Sequence, residues 1–277
     1  MGLRINHNVL ALQTHRHLLT TQNSLDKAVQ RLSSGLRINS AADDPAGLAI
    51  SEKMRAQIAS TEQAIRNTNY AVNLLQTAEG ALNTIDEKLV RMRQLAVEAA
   101  SGTLSDEDRA YADTEFQALK SEITRIAQVT EYNSKKLIDG TYSITGITFH
   151  VGINNVNGQD KFTVTLNEMT ASGLGIAALT ISDIDSAASA ISTIDVAIKS
   201  KDTERAKIGA NVERLTNAIA NLQISYENAV ASESQIRDAD IALEMANFVR
   251  ANILMKAGVA MMGQANMLPQ TVAGILG

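Results

Sequence analysis

Residues Leu75 to Ala99 read LQTAEGALNTIDEKLVRMRQLAVEA. Within them Leu75, Ala78, Leu82, Ile85, Leu89, Met92, Ala96 and Ala99 recur at steps of three and four without a miss. That is the a/d seam of helices packed along their length. Two further runs keep the same spacing: Ala112, Phe116, Leu119, Ile123 and Ile126, then Ile208, Val212, Leu215, Ile219, Leu222, Tyr226 and Ala229. The only prolines, Pro45 and Pro269, lie outside all three runs, so nothing breaks a long helix between them. The pattern predicts a mainly α protein, with long helices in coiled-coil or bundle packing.

The composition agrees. The 277 residues are 45% hydrophobic, enough for a real core in one large or two ordinary domains. Four Phe, five Tyr and no Trp leave that core to small aliphatic side chains, which suits helices in lengthwise contact. Local signals punctuate the helices. Asp44 before Pro45 reads as an N-cap with proline at the first helical position. Ser105 before Asp106, Glu107 and Asp108 reads as a second cap, its carboxylates at the positive end of the helix dipole. Gly102 marks the break before it. Between about 141 and 170 the period changes to two, with Ile147, Phe149, Val151 and Ile153 answered by Phe162, Val164 and Leu166. Asn157-Gly158 lies in the turn, so one β-hairpin region is predicted at about 145–167.

Both ends are apolar and helical. Leu18, Leu25, Val29, Leu32 and Leu36 share one face near the N-terminus. Ile241, Met245, Phe248, Asn252, Met255, Val259 and Met262 step by four and three near the C-terminus, and Asn252 inside that stripe can fix register. Ile253 and Leu254 add a second apolar face. Segments of this length cannot cover such surfaces alone: the plainer reading is an ordinary intramolecular coiled coil, and the favoured one is that the two ends pair with each other and then with further copies of the chain.

Charge and chemistry narrow the function. Arg4, Arg16, Lys27, Arg31 and Arg37 face only Asp26 in residues 1–42, a net +4; residues 236–277 are neutral and the middle carries −9. The N-terminal cations are scattered and lack interleaved aromatic residues, which argues against nucleic acid. With no cysteine, disulfides and thiolate sites are excluded. Asn6, His7, Asn8, Gln13, His15, Arg16 and His17 break any apolar run over residues 1–19, so no cleaved signal peptide is expected. Lys256, Gln264, Asn266 and Pro269 interrupt the C-terminal run, so no membrane insertion is expected. Met1-Gly2 lacks the Ser or Thr at position 6 of a myristoylation start. Gly173-Leu-Gly175-Ile-Ala-Ala178 fits a dinucleotide loop in letters, with Asp195 twenty residues on, but follows a hairpin rather than opening a parallel βαβ unit. Ser24 and Lys27 have no companion motif, His15 and His17 lie on different helix faces, and Asp238 and Asp240 lack the rest of a calcium loop. No catalytic residue, metal or cofactor is expected.

The ends also carry a resemblance. Gln30 to Ser51, QRLSSGLRINSAADDPAGLAIS, closely resembles the N-terminal region of bacterial flagellins. Ile236 to Asp240, Glu244 to Asn247, Gln264 to Asn266 and Pro269-Gln270 resemble the C-terminal region, and Tyr132-Asn133 to Lys136-Leu137 also looks like the family. The likeness spans nearly all of residues 1–140 and 190–277. It implies a flagellar filament subunit: an inner coiled-coil domain from residues 1–42 and 236–277, and an outer helical domain from 43–178 and 179–235. With no room for large surface insertions, the chain resembles a minimal flagellin. The resemblance further implies type III export to an extracellular filament, an export chaperone bound to the C-terminal region, and cap and junction proteins as partners. It also implies a contact surface for the host flagellin-sensing Toll-like receptor at Arg91, Leu95 and Glu115, although Val90 stands where many recognised flagellins have Gln. An ordinary surface ion pair between Arg91 and Glu115 is the plainer reading of those two residues. The hook–filament junction protein, which shares the end motifs, is the second reading of the whole chain.

Overall fold

Asp44 and Ser105 begin two helices as their side chains dictate. Helix α2 (Pro45–Ala99) opens on its proline, and Asp44 Oδ1 accepts from the Gly47 N–H at 2.9 Å. Helix α3 (Asp106–Val129) opens on a capping box: Ser105 Oγ accepts from the Asp108 N–H, and Asp108 Oδ2 accepts from the Ser105 N–H. Arg109 closes the joint between them. It is buried, and donates to the Ala99 carbonyl at 3.0 Å, to the Ser101 carbonyl and to Asp106, so a carbonyl that the end of α2 leaves without an intrahelical donor is satisfied by a side chain.

The computed structural model describes residues 7–276; the Met1-Gly2 start lies outside them. Helices α1 (Val9–Ser34), α4 (Ile184–Arg237) and α5 (Ile241–Leu276) complete the helical set. The chain divides into two compact units, one from the residues up to Ile58 and from Glu227 onward, the other Ala59–Tyr226. Helices α2 and α4 each have residues in both.

In the Ala59–Tyr226 unit, all eight seam residues from Leu75 to Ala99 are 0% exposed. They share a core with Phe116, Ile123 and Ala127 of α3 and with Ala187, Ala190, Ile194, Ala197, Ile208 and Leu215 of α4. Each large aliphatic removed from water here contributes roughly 1.5–3 kcal/mol. The α4 seam holds two charges that the apolar pattern misses. Lys201 pairs with Asp86 at 2.5 Å and Asp202 at 2.6 Å. Glu204 is buried and accepts from the backbone N–H of Asn167 at 3.1 Å and from its side-chain amide at 2.9 Å. These bonds anchor the segment after the hairpin to α4.

The predicted hairpin consists of β3 (Ile147–His150) and β4 (Lys161–Val164), antiparallel with Ile147 opposite Val164. It is shorter than the alternation suggested, because Asp160 takes over. Its buried carboxylate accepts from the Val156 and Asn154 N–H groups, and its carbonyl from Val151 and Gly152. The chain from Val151 to Asp160 is therefore an ordered loop rather than strand. A second pair, β1 (Glu131–Tyr132) with β2 (Lys135–Lys136), has two residues per strand. Such strands are too short to show a period, and they turn through Asn133 and Ser134 at positive φ.

Candidate assembly surface on the terminal helices

In the unit holding both termini, α1 and α5 lie antiparallel: Asn8 reaches Ala265, Leu18 lies against Gly258, and Arg31 meets Glu244. The covered positions on α1 are Ala11, Thr14, Leu18, Thr21, Leu25, Ala28 and Leu32, spaced three and four apart. On α5 they include Glu244, Ala251, Gly258 and Ala265, every seventh residue, with Phe248, Met255 and Met262 between. The inward stripe of α5 is thus mostly small or polar. A Cβ at Gly258 would sit 2.9 Å from Leu18 Cδ1, so the two helices approach as closely as glycine permits. The Arg31–Glu244 pair, at 2.8 Å with the glutamate side chain 8% exposed, closes the other end of the contact. There Glu244 also lies in the first turn of α5, where the helix dipole favours a negative charge.

The large apolar residues of α5 divide between two directions. Phe248, Met255 and Met262 lie half-buried toward α1, as does Asn252. Ile241, Met245 and Val259 are about half exposed, and with them Leu243, Val249, Ile253, Leu254, Met261 and Met267. On α1, Leu18, Leu25 and Leu32 are half-buried against α5, whereas Val29 is exposed along with Val9, Leu10, Leu12 and Leu19. Leu36 lies beyond α1 and bridges to Asp238. Large apolar side chains in this number, left open after the two helices have paired, mark an interaction surface. The small inward residues were missed because they carry little hydrophobic signal. Their seven-residue spacing from Ala251 to Ala265 is what could have revealed them.

The Gln30–Ser51 stretch has a physical role in the same unit. Gly35 ends α1 in the left-handed region at φ 73°, its N–H bonded to the Arg31 carbonyl. Past it, the Arg37 N–H donates to the Arg237 carbonyl at 2.6 Å, and the Ala239 N–H donates to the Gly35 carbonyl at 2.9 Å. The link from α1 to α2 is thereby stitched to the link from α4 to α5. Ile38 is buried beneath it, and Gly47 packs so near that a Cβ there would meet Ile38 Cδ1 at 2.8 Å and Asp44 Oδ2. Asp43 accepts from the Asn39 and Ser40 N–H groups and from the Ser40 hydroxyl. The unusual letters of this motif are those of a turn that leaves almost no slack.

The comparisons with known proteins bear on both ends. Residues 5–143 match the bacterial flagellin N-terminal helical region, and residues 191–276 match the bacterial flagellin C-terminal helical region. The chain belongs to the bacterial flagellin family. It is 44% identical over 272 residues to a flagellin of Halalkalibacterium halodurans, covering 98% of this chain and 99% of that one. It is 40% identical over 306 aligned positions to a flagellin of Bacillus subtilis, covering 99% and 100%. A solved flagellar hook-associated protein of Vibrio parahaemolyticus superposes with a TM-score of 0.60 at 17% identity, over 71% of this chain and 100% of that one, a likeness of fold alone. The protein is therefore a structural subunit of the flagellar filament and not an enzyme.

On the other unit of this flagellin, Arg91 and Glu115 form a two-pronged ion pair, Nε to Oε1 at 2.8 Å and Nη2 to Oε2 at 3.1 Å. The guanidinium holds the Glu115 carboxyl below its ordinary range. Both side chains are about half exposed, whereas Leu95 is buried in the core. Leu95 therefore supports this face from beneath, and the exposed neighbours are Val90 and Val97. Arg93 forms a second such pair with Asp195 at 2.6 Å, which accounts for the acidic residue that completed the dinucleotide-like spacing. The Gly173 loop leads into α4 with no parallel strand beside it. Among the described residues no cluster of three His, Cys, Asp or Glu could hold a metal ion, and no helix is long and apolar enough to cross a membrane.

Proposed function

We propose that the chain polymerises through its paired terminal helices, with α1 and α5 holding each other by their small-residue stripe and presenting their outward apolar faces to neighbouring copies. The half-exposed row from Ile241 to Met267 on α5 carries this reading. In this assignment residues 1–42 and 236–277 form an inner domain of the filament and residues 43–178 and 179–235 an outer one. Leu18, Leu25, Val29, Leu32, Leu36, Ile241, Met245, Phe248, Asn252, Met255, Val259 and Met262 are the assembly residues. Deleting residues 1–30 or 250–277 leaves a helical monomer that stays in the supernatant under conditions where the full chain forms filaments visible by electron microscopy. Filaments from either truncation refute the reading. The junction-protein alternative is tested by the same images, since it requires that seeded full-length chain fail to elongate.

We infer the partners from the family likeness. The chain leaves the cell through the flagellar type III apparatus, with an export chaperone on its C-terminal region and cap and junction proteins at the filament ends. As monomer it is a ligand of the host flagellin-sensing Toll-like receptor, through the Arg91–Glu115 face supported by Leu95. Arg91→Glu places two like charges in contact and abolishes receptor-reporter signalling at concentrations where the parent is active; undiminished signalling refutes the assignment.

A further inference from the structure

Helix α5 runs through Pro269 to Leu276. Proline has no N–H, so the carbonyl four residues earlier, that of Ala265, has no intrahelical donor. Ala265 is 2% exposed, and a carbonyl buried there without a partner is costly. The donor comes from the other end of the chain. Asn8 Nδ2 donates to the Ala265 carbonyl at 2.8 Å.

The same side chain has a second duty. Asn8 is the N-cap of α1, and its Oδ1 accepts from the Ala11 N–H at 3.0 Å. One amide therefore satisfies two orphan groups, a helix-start N–H on α1 and a proline-freed carbonyl on α5. The two partners also fix the amide's orientation, because the flipped rotamer would set N–H against N–H and oxygen against oxygen. Ser, Thr and Asp can cap α1 but offer no amide donor in place of Nδ2. Gln carries both groups on a longer stem. Asparagine alone has acceptor and donor at this reach.

We infer that Asn8 is the register-determining residue of the α1–α5 pair, acting as a latch that matches the missing N–H of Pro269 and so sets which outward residues of the two helices line up for assembly. Sliding α1 by one turn along α5 would carry the amide past the Ala265 carbonyl and leave that carbonyl unpaired. The register is thus chosen by a hydrogen-bond vacancy, complementing small-residue packing that tolerates more than one alignment. The inference rests on the proposal that the terminal helices pair in the filament.

The test is a cycle on the full-length chain, read as the subunit concentration remaining unpolymerised after seeded assembly and sedimentation. Asn8→Asp keeps the cap acceptor but loses the donor, and the expected result is a rise of about tenfold. Pro269→Ala returns an N–H to Ala265, and the double variant N8D/P269A is expected within about twofold of P269A alone. A wild-type value for N8D overturns the latch, as does an N8D defect that P269A leaves undiminished, since a merely structural role at position 8 would not depend on residue 269. Far-UV circular dichroism of each variant verifies that the Ala59–Tyr226 unit remains folded. Failure of the parent chain to assemble in the same tubes would instead count against the pairing itself.

Discussion

Gly258→Val puts the α1–α5 contact to a quantitative test. An added Cβ lies 2.9 Å from Leu18 Cδ1 and 4.0 Å from Leu18 Cγ, against about 3.5–4.0 Å for carbon atoms at rest. Alanine is tolerable because the offending atom is the far end of a leucine, which can rotate away. Valine adds two further methyl groups in the same direction, and rotating Leu18 no longer clears them. Overpacking of this kind costs about 1–3 kcal/mol, while leaving glycine behind in a helix returns a few tenths. The net of about 0.5–2.5 kcal/mol per subunit corresponds to a roughly two- to seventyfold rise in the unpolymerised concentration at steady state. Sedimentation of seeded filaments over a dilution series reads it directly. Leu18→Ala removes the methyl that clashes, so the double variant should recover most of the loss even though Leu18→Ala alone weakens assembly. Valine at 258 with a parent-like value, or a defect indifferent to Leu18, would refute close packing at this pair.

Other expectations concern the Ala59–Tyr226 unit. Arg109→Ala leaves the Ala99 and Ser101 carbonyls without their donor and should lower stability by about 2–4 kcal/mol, seen as a melting point lower by roughly 5–15 °C. Glu204→Gln turns one of two acceptors facing the Asn167 donors into a donor and should cost about 1–3 kcal/mol in urea titrations. Gly80→Ala and Gly209→Ala enter open space within α2 and α4, so each should raise stability by about 0.5–1 kcal/mol; a loss at either would mean that the space is occupied. Acid should weaken this unit modestly in a defined window. Asp108, Glu115, Glu122 and Asp195 are held below ordinary carboxylate values by the Ser105 hydroxyl and by Arg91, Arg125 and Arg93. Depressed values contribute stability above the unfolded carboxylate range and lose it as pH falls through the folded values. Melting points should therefore hold above about pH 5 and fall below about pH 4, less steeply in Glu115→Gln.

How far the fold could be read depended on where each segment finds its cover. From Leu75 to Ala99 the three-four spacing named eight residues, and all eight are fully buried, because helices within the same chain cover them. The caps at Asp44 and Ser105 were equally legible, since a cap depends on residues within one turn of it. Lys201 and Glu204 were not, because a charge inside a seam is comprehensible only once Asp86 and Asn167 are known to lie opposite. The two-residue strands at Glu131 and Lys135 had no period to read. Asp160 ended the hairpin early because a buried carboxylate organises a loop through backbone N–H groups, a bond pattern that hydrophobic alternation does not encode.

The terminal helices invert the usual relation between hydrophobicity and burial. Ranking α5 by apolar size selects Ile241, Met245 and Val259 as readily as Phe248, Met255 and Met262, yet the first three are half exposed, while Glu244, Ala251 and Ala265 are buried and Gly258 lies against Leu18. Two physical demands explain the inversion. The intramolecular contact needs proximity, and only small residues allow two backbones to approach so closely. The proposed contact with other copies draws an exposed helix out of water, and large aliphatic side chains supply that drive at roughly 25 cal/mol per Å² covered. A helix serving both demands is apolar nearly all round, which blurs the single stripe that periodicity seeks. What separates the two faces is side-chain size at seven-residue spacing rather than hydrophobicity. On that criterion Ala251, Gly258 and Ala265 mark the inner face, and the half-exposed Ile241, Met245 and Val259 are the ones left for the proposed contact with other copies.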